Sequence, residues 1–299
     1  MTAISDPMTP RLNQQGGGQK VREGGFRLLL WVSTFLSVLV LAVLVVDVLG
    51  DGIGRLSFDF LISYPSRFAE RAGILGGLTG SISLMLIVAV LAFPLGVGAA
   101  VYLEEFAPDN RFTRLMEVNI SNLAGVPSVV YGLLGAALFV SIIGFGRSLL
   151  SGALTLTLLV LPVIIVASRE SMRSVPRALR DAGLALGATR WEVTRREILP
   201  AALPGIMTGT ILALSRAVGE TAPILLVGAL TTTRFVSEPW NLGEAFSAVP
   251  VQIFDFVKRP QEGFRVDAAA AAIIVLMVVL LAMNSIAIIL RNRARRDWG

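Results

Sequence analysis

The chain has no cysteine and no histidine. Disulfides, thiolate nucleophiles, imidazole metal ligands and histidine-based acid–base catalysis are therefore excluded. Lysine is almost missing as well: Lys20 and Lys258 are the only two among 26 basic residues, the rest being arginine. Charged residues make up 16% of the 299-residue chain against 54% hydrophobic, and mean hydropathy is +0.73. A soluble globular domain rarely reaches such values, so the chain reads as an integral membrane protein. There is no G-x-x-x-x-G-K-[ST] run to cradle a nucleotide. The sequence pI is near 10.4, but the basic residues sit at the ends of apolar segments and form no aromatic-interleaved face, which argues against a nucleic-acid partner.

What is there is a series of apolar runs. Residues 1–27 are polar and rich in Gly and Gln, which predicts a flexible tail that cannot bury a core of its own. Residues 28–49 follow as the first span; as a helix they would rise about 33 Å, enough for a hydrocarbon layer of roughly 30 Å and too long for the apolar part of a signal peptide. Five more spans are expected at about 75–102, 119–143, 149–168, 203–230 and 268–290. The expectation is an all-α membrane protein of six transmembrane helices, with a five-helix core at 75–290 and a short tail at 291–299. Basic residues crowd the N-tail (Arg11, Lys20, Arg22, Arg27), the loop at 111–114, the loop at 169–196 and the C-tail (Arg291, Arg293, Arg295, Arg296). The opposite side is thinner (Arg55, Arg67, Arg71, Arg147, Arg234, Lys258, Arg259, Arg265). The positive-inside rule then puts both termini and the 169–196 loop in the cytoplasm. Glycine and proline inside the spans, as in LAFPLGVGAA and LPAALPGIMTGTILA, point to closely packed helices. No internal repeat supports an inverted-repeat transporter.

The fourth loop, within 171–200, is charged, and no lipid-facing requirement accounts for it. Pro176 can open a helix, and Arg177 to Leu186 carries Leu179, Ala182 and Leu186 on one stripe. Gly187 breaks it, and Trp191 to Ile198 can form a second short helix before Leu199-Pro200. Ala182 and Gly183 would allow close approach of a partner, with Asp181 able to pair with a basic group. The plain alternative is an amphipathic helix lying among lipid headgroups. A second feature lies inside the fifth span, where SRAVGETAP sets Arg216 and Glu220 one turn apart. An ionised side chain there costs roughly 2.5–3.5 kcal/mol on insertion scales, so the pair should face a bundle interior or a watered path. It can be a register-fixing salt bridge. It can also serve an anion passage: arginine offers a permanently charged fork for oxyanions, Glu220 balances it when the path is empty, and Thr221 adds a hydroxyl. Arg169 with Glu170 forms a second candidate anion contact, with helix-end snorkelling as the alternative. Glu104 and Glu105 read as helix-end or loop-packing residues without a transport role, and Asp47 as a boundary residue.

Four stretches carry a family resemblance: VYLEEFAP at 101–108, LAGVPSVVYGLLG at 123–135, the loop at 175–206, and TGTILALSRAVGETAPILLVGA at 208–229. Asp181-Ala182-Gly183, Gly187 and Leu199-Pro200 follow the spacing of the EAA loop of type-1 ABC permeases. The chain departs from that pattern in Asp181 for Glu, Gly183 for Ala, and Glu197 where an aliphatic residue is usual. With RAVGETAP added, it resembles the PstA-type permease subunits of bacterial phosphate ABC importers. The resemblance implies a type-1 importer fold in the inner membrane and a homologous second permease (PstC-like). It also implies two copies of an ABC ATPase (PstB-like) docked on the loop and an extracytoplasmic phosphate-binding protein (PstS-like). The chain itself would be no enzyme and hold no cofactor or metal, ATP and Mg being bound by the ATPase. A permease for another oxyanion such as phosphonate or sulfate, and a non-transporting scaffold or passive channel, stay open as alternatives.

Overall fold

A computed structural model describes residues 17–233 and 235–296. Among them there is no β-strand. The helices are α1 (Gly17–Gly52), α2 (Phe58–Ile62), α3 (Leu75–Val101), α4 (Arg111–Leu123), α5 (Ser128–Gly135), α6 (Leu149–Arg173), α7 (Arg177–Ala185), α8 (Arg190–Val193), α9 (Leu199–Val218), α10 (Ala222–Val227), α11 (Val249–Lys258) and α12 (Ala269–Arg296). Wider π-type turns extend α3 through Tyr102–Phe106 and α5 through Ala136–Ile142, join α8 to α9 through Thr194–Ile198, and lead into α12 from Gly263.

Among the described residues, five helical stretches are long and apolar enough to span a membrane: Arg22–Gly52, Leu75–Phe106, Leu149–Arg173, Arg190–Val218 and Gly263–Arg293. A sixth exists if α4 and the α5 stretch count as one span, and the span expected at 119–143 is then a bent one. The two halves meet at 105°. The physical cause is Gly125-Val126-Pro127: proline drives the residue before it out of helical geometry, and α5 starts directly after it. A correction concerns the ends. α1 begins at Gly17, ahead of the expected 28, because Gln19 to Glu23 are adequate helix formers that need no apolar surroundings. Residues 1–16, including Arg11 of the expected tail, and Arg234 lie outside the described residues. α12 runs on to Arg296, so most of the expected C-tail continues the helix.

The chain divides into two units. The first, up to Gly50, is essentially α1, whose apolar side chains such as Trp31 and Phe35 are exposed along its length. The second, from Asp51, holds everything else. Its centre is the trio α3, α6 and α9, where Leu84, Val88 and Ala92 meet Leu156, Val160, Ile164, Ala213 and Ala217. Without water between helices in lipid, packing of small residues draws them together. Gly96 faces Ile164 so closely that an added Cβ would lie 2.6 Å from it. On α9 the Gly205-x-x-x-Gly209 pair rides on Ser171 and Ala167 of α6 with no room for a Cβ. This antiparallel register, carried along the two helices, sets Arg216 level with Val160, near the middle of α6. α9 is further pinned to α12 by Ser215 Oγ donating to Asn284 Oδ1 and by Arg291 Nη1 donating to Thr208 Oγ1 at 2.9 Å. The segment between α6 and α9 projects from one end of the trio, called the loop end below.

Candidate functional site

The loop is built as two short helices and a hinge. Pro176 occupies the residue before α7 with extended geometry. Gly187 ends it at φ +86°, a left-handed conformation in which Gly187 N–H donates to Leu184 O and Ala188 N–H to Gly183 O. Thr189 then caps α8 with a full capping box: its hydroxyl accepts from Glu192 N–H at 3.3 Å, and the Glu192 carboxylate accepts from Thr189 N–H at 2.9 Å. Asp181 and Ala182 are exposed, as are Leu179, Leu184, Leu186 and Trp191. These four apolar side chains are left bare beside an acidic residue. Gly183 has an internal reason as well: a Cβ there would meet Val193 Cγ2 at 2.7 Å, so α7 can lie on α8 only with glycine.

The expected stop at Leu199-Pro200 is corrected. Helix runs without a break from Arg190 to Val218. At the π turn Leu199 N–H donates to Thr194 O, five residues back, and Pro200, which has no N–H to offer, follows directly. The shifted register absorbs the proline that a regular helix would feel as a lost bond. Glu197 is exposed on this turn.

The intramembrane pair forms, but across a break instead of along one helix. α9 stops at Val218; Gly219, Glu220 and Thr221 are not helical; α10 starts at Ala222. Pro223 in the first turn of α10 and the open Gly219 account for the interruption. Arg216 Nε donates to Glu220 Oε1 at 3.2 Å. The arginine side chain is 51% exposed and the glutamate 14%. Neither Nη of Arg216 has an acceptor among the described residues. Thr221 is half-buried at the start of α10. α5 packs on α10 so closely that a Cβ on Gly132 would sit 2.7 Å from Pro223 Cα, while Tyr131 Oη donates to Leu123 O at 2.9 Å and holds the α4–α5 bend.

A third arrangement was not expected. Glu104 and Glu105, on the π turn that ends α3, each take a different set of arginines. Glu104 accepts from Arg169 Nε at 3.3 Å and from Arg173 Nε at 2.9 Å, and Arg169 also donates through Nη2 to Glu117 of α4. Glu105 accepts two bonds from Arg180 of α7, at 2.8 and 3.3 Å. Arg180 in turn donates to Met172 O and Val175 O, satisfying carbonyls at the end of α6. The side chains of Glu104, Glu105, Arg169 and Arg180 are all largely buried. Two adjacent carboxylates thus tie the ends of α3, α4, α6 and α7 into one cluster.

Residues 92–296 match the family described as binding-protein-dependent transport system inner membrane component. The chain belongs to that family. This inner membrane component is similar to the ABC transporter permease protein YqgI of Bacillus subtilis, 38% identical over 72% of the chain and 71% of the relative. It is 32% identical to the phosphate transport system permease protein PstA of Haemophilus influenzae over 78% of the chain and 80% of that protein. A third relative, PstA 1 of Mycobacterium tuberculosis, is 42% identical, with 54% of the chain covered and about half of the relative, 52%. Among solved structures the bacterial alginate ABC transporter superposes with a TM-score of 0.66 at 15% identity, covering 93% of the chain and 97% of the other. The MetNI methionine ABC transporter gives 0.59 at 16% identity, covering 73% and 94%. These last two speak for the fold: a type-1 ABC importer permease.

Within this inner membrane component the structure brings Arg216 and Glu220 together, with Thr221 next in the chain, while Asp181, Ala182, Gly183 and Gly187 form a separate, largely exposed knuckle. Arg169 joins neither. It sits about nine residues of α6, roughly 13 Å, towards the loop end from the level of Arg216. Its guanidinium is buried between two carboxylates. The expectation of Arg169 as a substrate contact meets a different arrangement here, because its Nε and Nη2 are held by Glu104 and Glu117 and its charge is met within the chain. Glu104 and Glu105, read from the sequence as helix-end or loop-packing residues, do pack the loop end, and what the sequence reading missed is their arginine partners. The available signal was the pair itself, two consecutive acids at a span end matched by Arg169, Arg173 and Arg180.

Proposed function

We propose that the chain is the permease subunit of an ATP-driven importer of inorganic phosphate, forming half of the translocation path. The observation that carries this reading is Arg216. It lies at mid-span, half-exposed, with one nitrogen held by Glu220 and both Nη groups uncommitted. A guanidinium facing hydrocarbon in that position would cost roughly 2.5–3.5 kcal/mol. Facing a path shared with a second, homologous permease, it presents a planar fork to phosphate oxygens. Glu220 competes for the same charge, so an anion is passed on and not trapped. The names of the relatives, two of them phosphate transport system permeases, support the same cargo.

The loop end then faces the cytoplasm with both termini, as the basic residues favour. Two copies of an ABC ATPase (PstB-like) dock under this chain and its PstC-like partner, the exposed Leu179, Ala182 and Leu186 face entering the ATPase surface beside Asp181. A PstS-like protein delivers phosphate at the far end. The test is ATP-driven uptake of labelled phosphate, sulfate and phosphonate in proteoliposomes holding the chain with those partners. Arg216→Ala should abolish phosphate uptake while the ATPase stays bound. A wild-type complex that carries sulfate or phosphonate and no phosphate would assign another oxyanion. If no ATP-binding subunit copurifies, a scaffold or passive channel is left.

A further inference from the structure

At the end of the bundle opposite the docking loop, a cavity of about 630 Å³ is lined by Pro65, Ser66, Arg67, Phe68, Arg71, Thr232 and Arg259. Three arginines meet there, and no carboxylate lines the cavity among the described residues. One of the three is fixed. Arg259 donates to Asp255 Oδ2 through Nε and Nη2 at 3.0 and 2.7 Å and to Ser66 O at 3.2 Å, and lies 4.4 Å over the Phe264 ring. It joins α11 to the segment carrying Arg67. The far wall is fixed as well: Arg55 Nη2 donates to the carbonyls of Ala69, Glu70 and Ala72 at 2.8–2.9 Å, which holds the strap bearing Arg71. Arg67 and Arg71 themselves are exposed and make no ion pair with a described carboxylate.

Gathering like charges around one cavity is unfavourable unless something negative enters it. Asp255 balances Arg259, which leaves an excess of two positive charges on a wall held rigid by backbone bonds. A phosphate monoester group carries about 1.5 to 2 negative charges near pH 7 and presents three acceptor oxygens. That is the charge the cavity lacks, and the Thr232 hydroxyl offers a further donor. Thr232 also lies a few residues beyond α10 on the segment that leads outward from Glu220. We infer that this cavity is a second binding site for a phosphate group, an entry site at the far end of the chain, with Arg67 and Arg71 as its ligands and Arg259 as its fixed base. The inference draws on the phosphate-import reading for its transport role only, since binding can be measured without transport.

The test is the rate at which an arginine-selective dicarbonyl modifies Arg67 and Arg71, read by peptide mass spectrometry on the full chain with its partner subunits. In nanodiscs of neutral phosphatidylcholine, millimolar inorganic phosphate should slow both about fivefold or more, as charge-assisted contacts require. Arg114, exposed at the loop end, should be unchanged. Arg71→Gln should remove the protection of Arg67, which shows that both contact one ligand. Protection by phosphatidylglycerol nanodiscs alone, with phosphate ineffective, would give the same chemistry to a lipid headgroup and overturn the entry role. Equal modification in every arm would overturn the site. Failure of wild-type phosphate uptake, by contrast, would sink the import reading and leave the modification result standing.

Discussion

Breaking the Arg180–Glu105 bond is predicted to uncouple ATP hydrolysis from transport without dissolving the fold. The pair is mostly buried, with side-chain exposures of 21% and 10%, and Glu105 receives both of its bonds from Arg180. Removing one partner of a fully buried ion pair costs about 3–5 kcal/mol. Here Glu105→Gln leaves Arg180 its two carbonyl acceptors, so about 1.5–3 kcal/mol is the expected loss, the range of a hydrogen bond to a charged group. At about 1.4 kcal/mol per factor of ten, the tie between α7 and the end of α3 is weakened roughly ten- to a hundredfold. The assay is the number of ATP molecules hydrolysed per phosphate imported in proteoliposomes with saturating binding protein. Glu105→Gln should retain hydrolysis while uptake falls about tenfold, on the same scale of energy. Glu105→Arg combined with Arg180→Glu should recover part of the ratio, giving a coupling energy by double-mutant cycle. If uptake and hydrolysis fall together in step with the amount of folded protein, the pair is a structural clamp and the reasoning fails.

Other consequences can be checked one at a time. Gly183→Val should push α7 off Val193 and release the ATPase from purified complexes, whereas Ala182→Gly should not; retention of the ATPase by Gly183→Val would contradict the packing argument. Thr189→Ala removes the capping box and should lower the unfolding midpoint of the loop region, by hydrogen exchange, to an extent of about 1 kcal/mol. Glu220→Gln leaves Arg216 without its carboxylate; phosphate uptake should slow through retention of the anion, seen as a lower maximal rate with an unchanged or lower half-saturation. Because the chain has no cysteine, Leu212→Cys supplies a unique thiol one turn from Arg216. It should crosslink to the second permease and resist a lipid-dissolved maleimide.

The spans were legible because hydropathy over twenty residues is a property of composition, and 75–102 and 149–168 lie within the helices that form. Their breaks were hidden by the same property: the apolar character runs on through Val126 and through Ala222, so a window sees one span where the chain turns by 105° or leaves helix altogether. The residues that cause both breaks, Gly125-Val126-Pro127 and Gly219 to Pro223, stand in the sequence, where glycine and proline within a span point to close packing and can bend a helix without fixing the angle. The knuckle was legible from Asp181 to Gly187 because its spacing is local. The arginine–glutamate cluster was not, since Glu104 meets Arg169 across 65 residues and Glu105 meets Arg180 across 75. Charge matching over such separations needs the parallel placement of α3 and α6, with their C-terminal ends side by side, before it means anything.

That placement also explains why one arginine of the pair first read as anion contacts fits the role and the other does not. Arg169 and Arg216 are both on helices of the central trio, and both carry a charge that apolar surroundings oppose. Arg169 is answered from within the chain by carboxylates on two neighbouring elements, and it is 7% exposed. Arg216 is answered by a single glutamate on the far side of a helix break, and on its stripe of α9 Leu212 is 66% exposed and Gly219 is open among the described residues. A charge half satisfied at mid-span is tolerable only where something polar or protein completes the surface. On the proposed reading the chain carries the path as an open half: the arginine whose charge is already met joins the helix ends, and the one whose charge is left over faces the cargo.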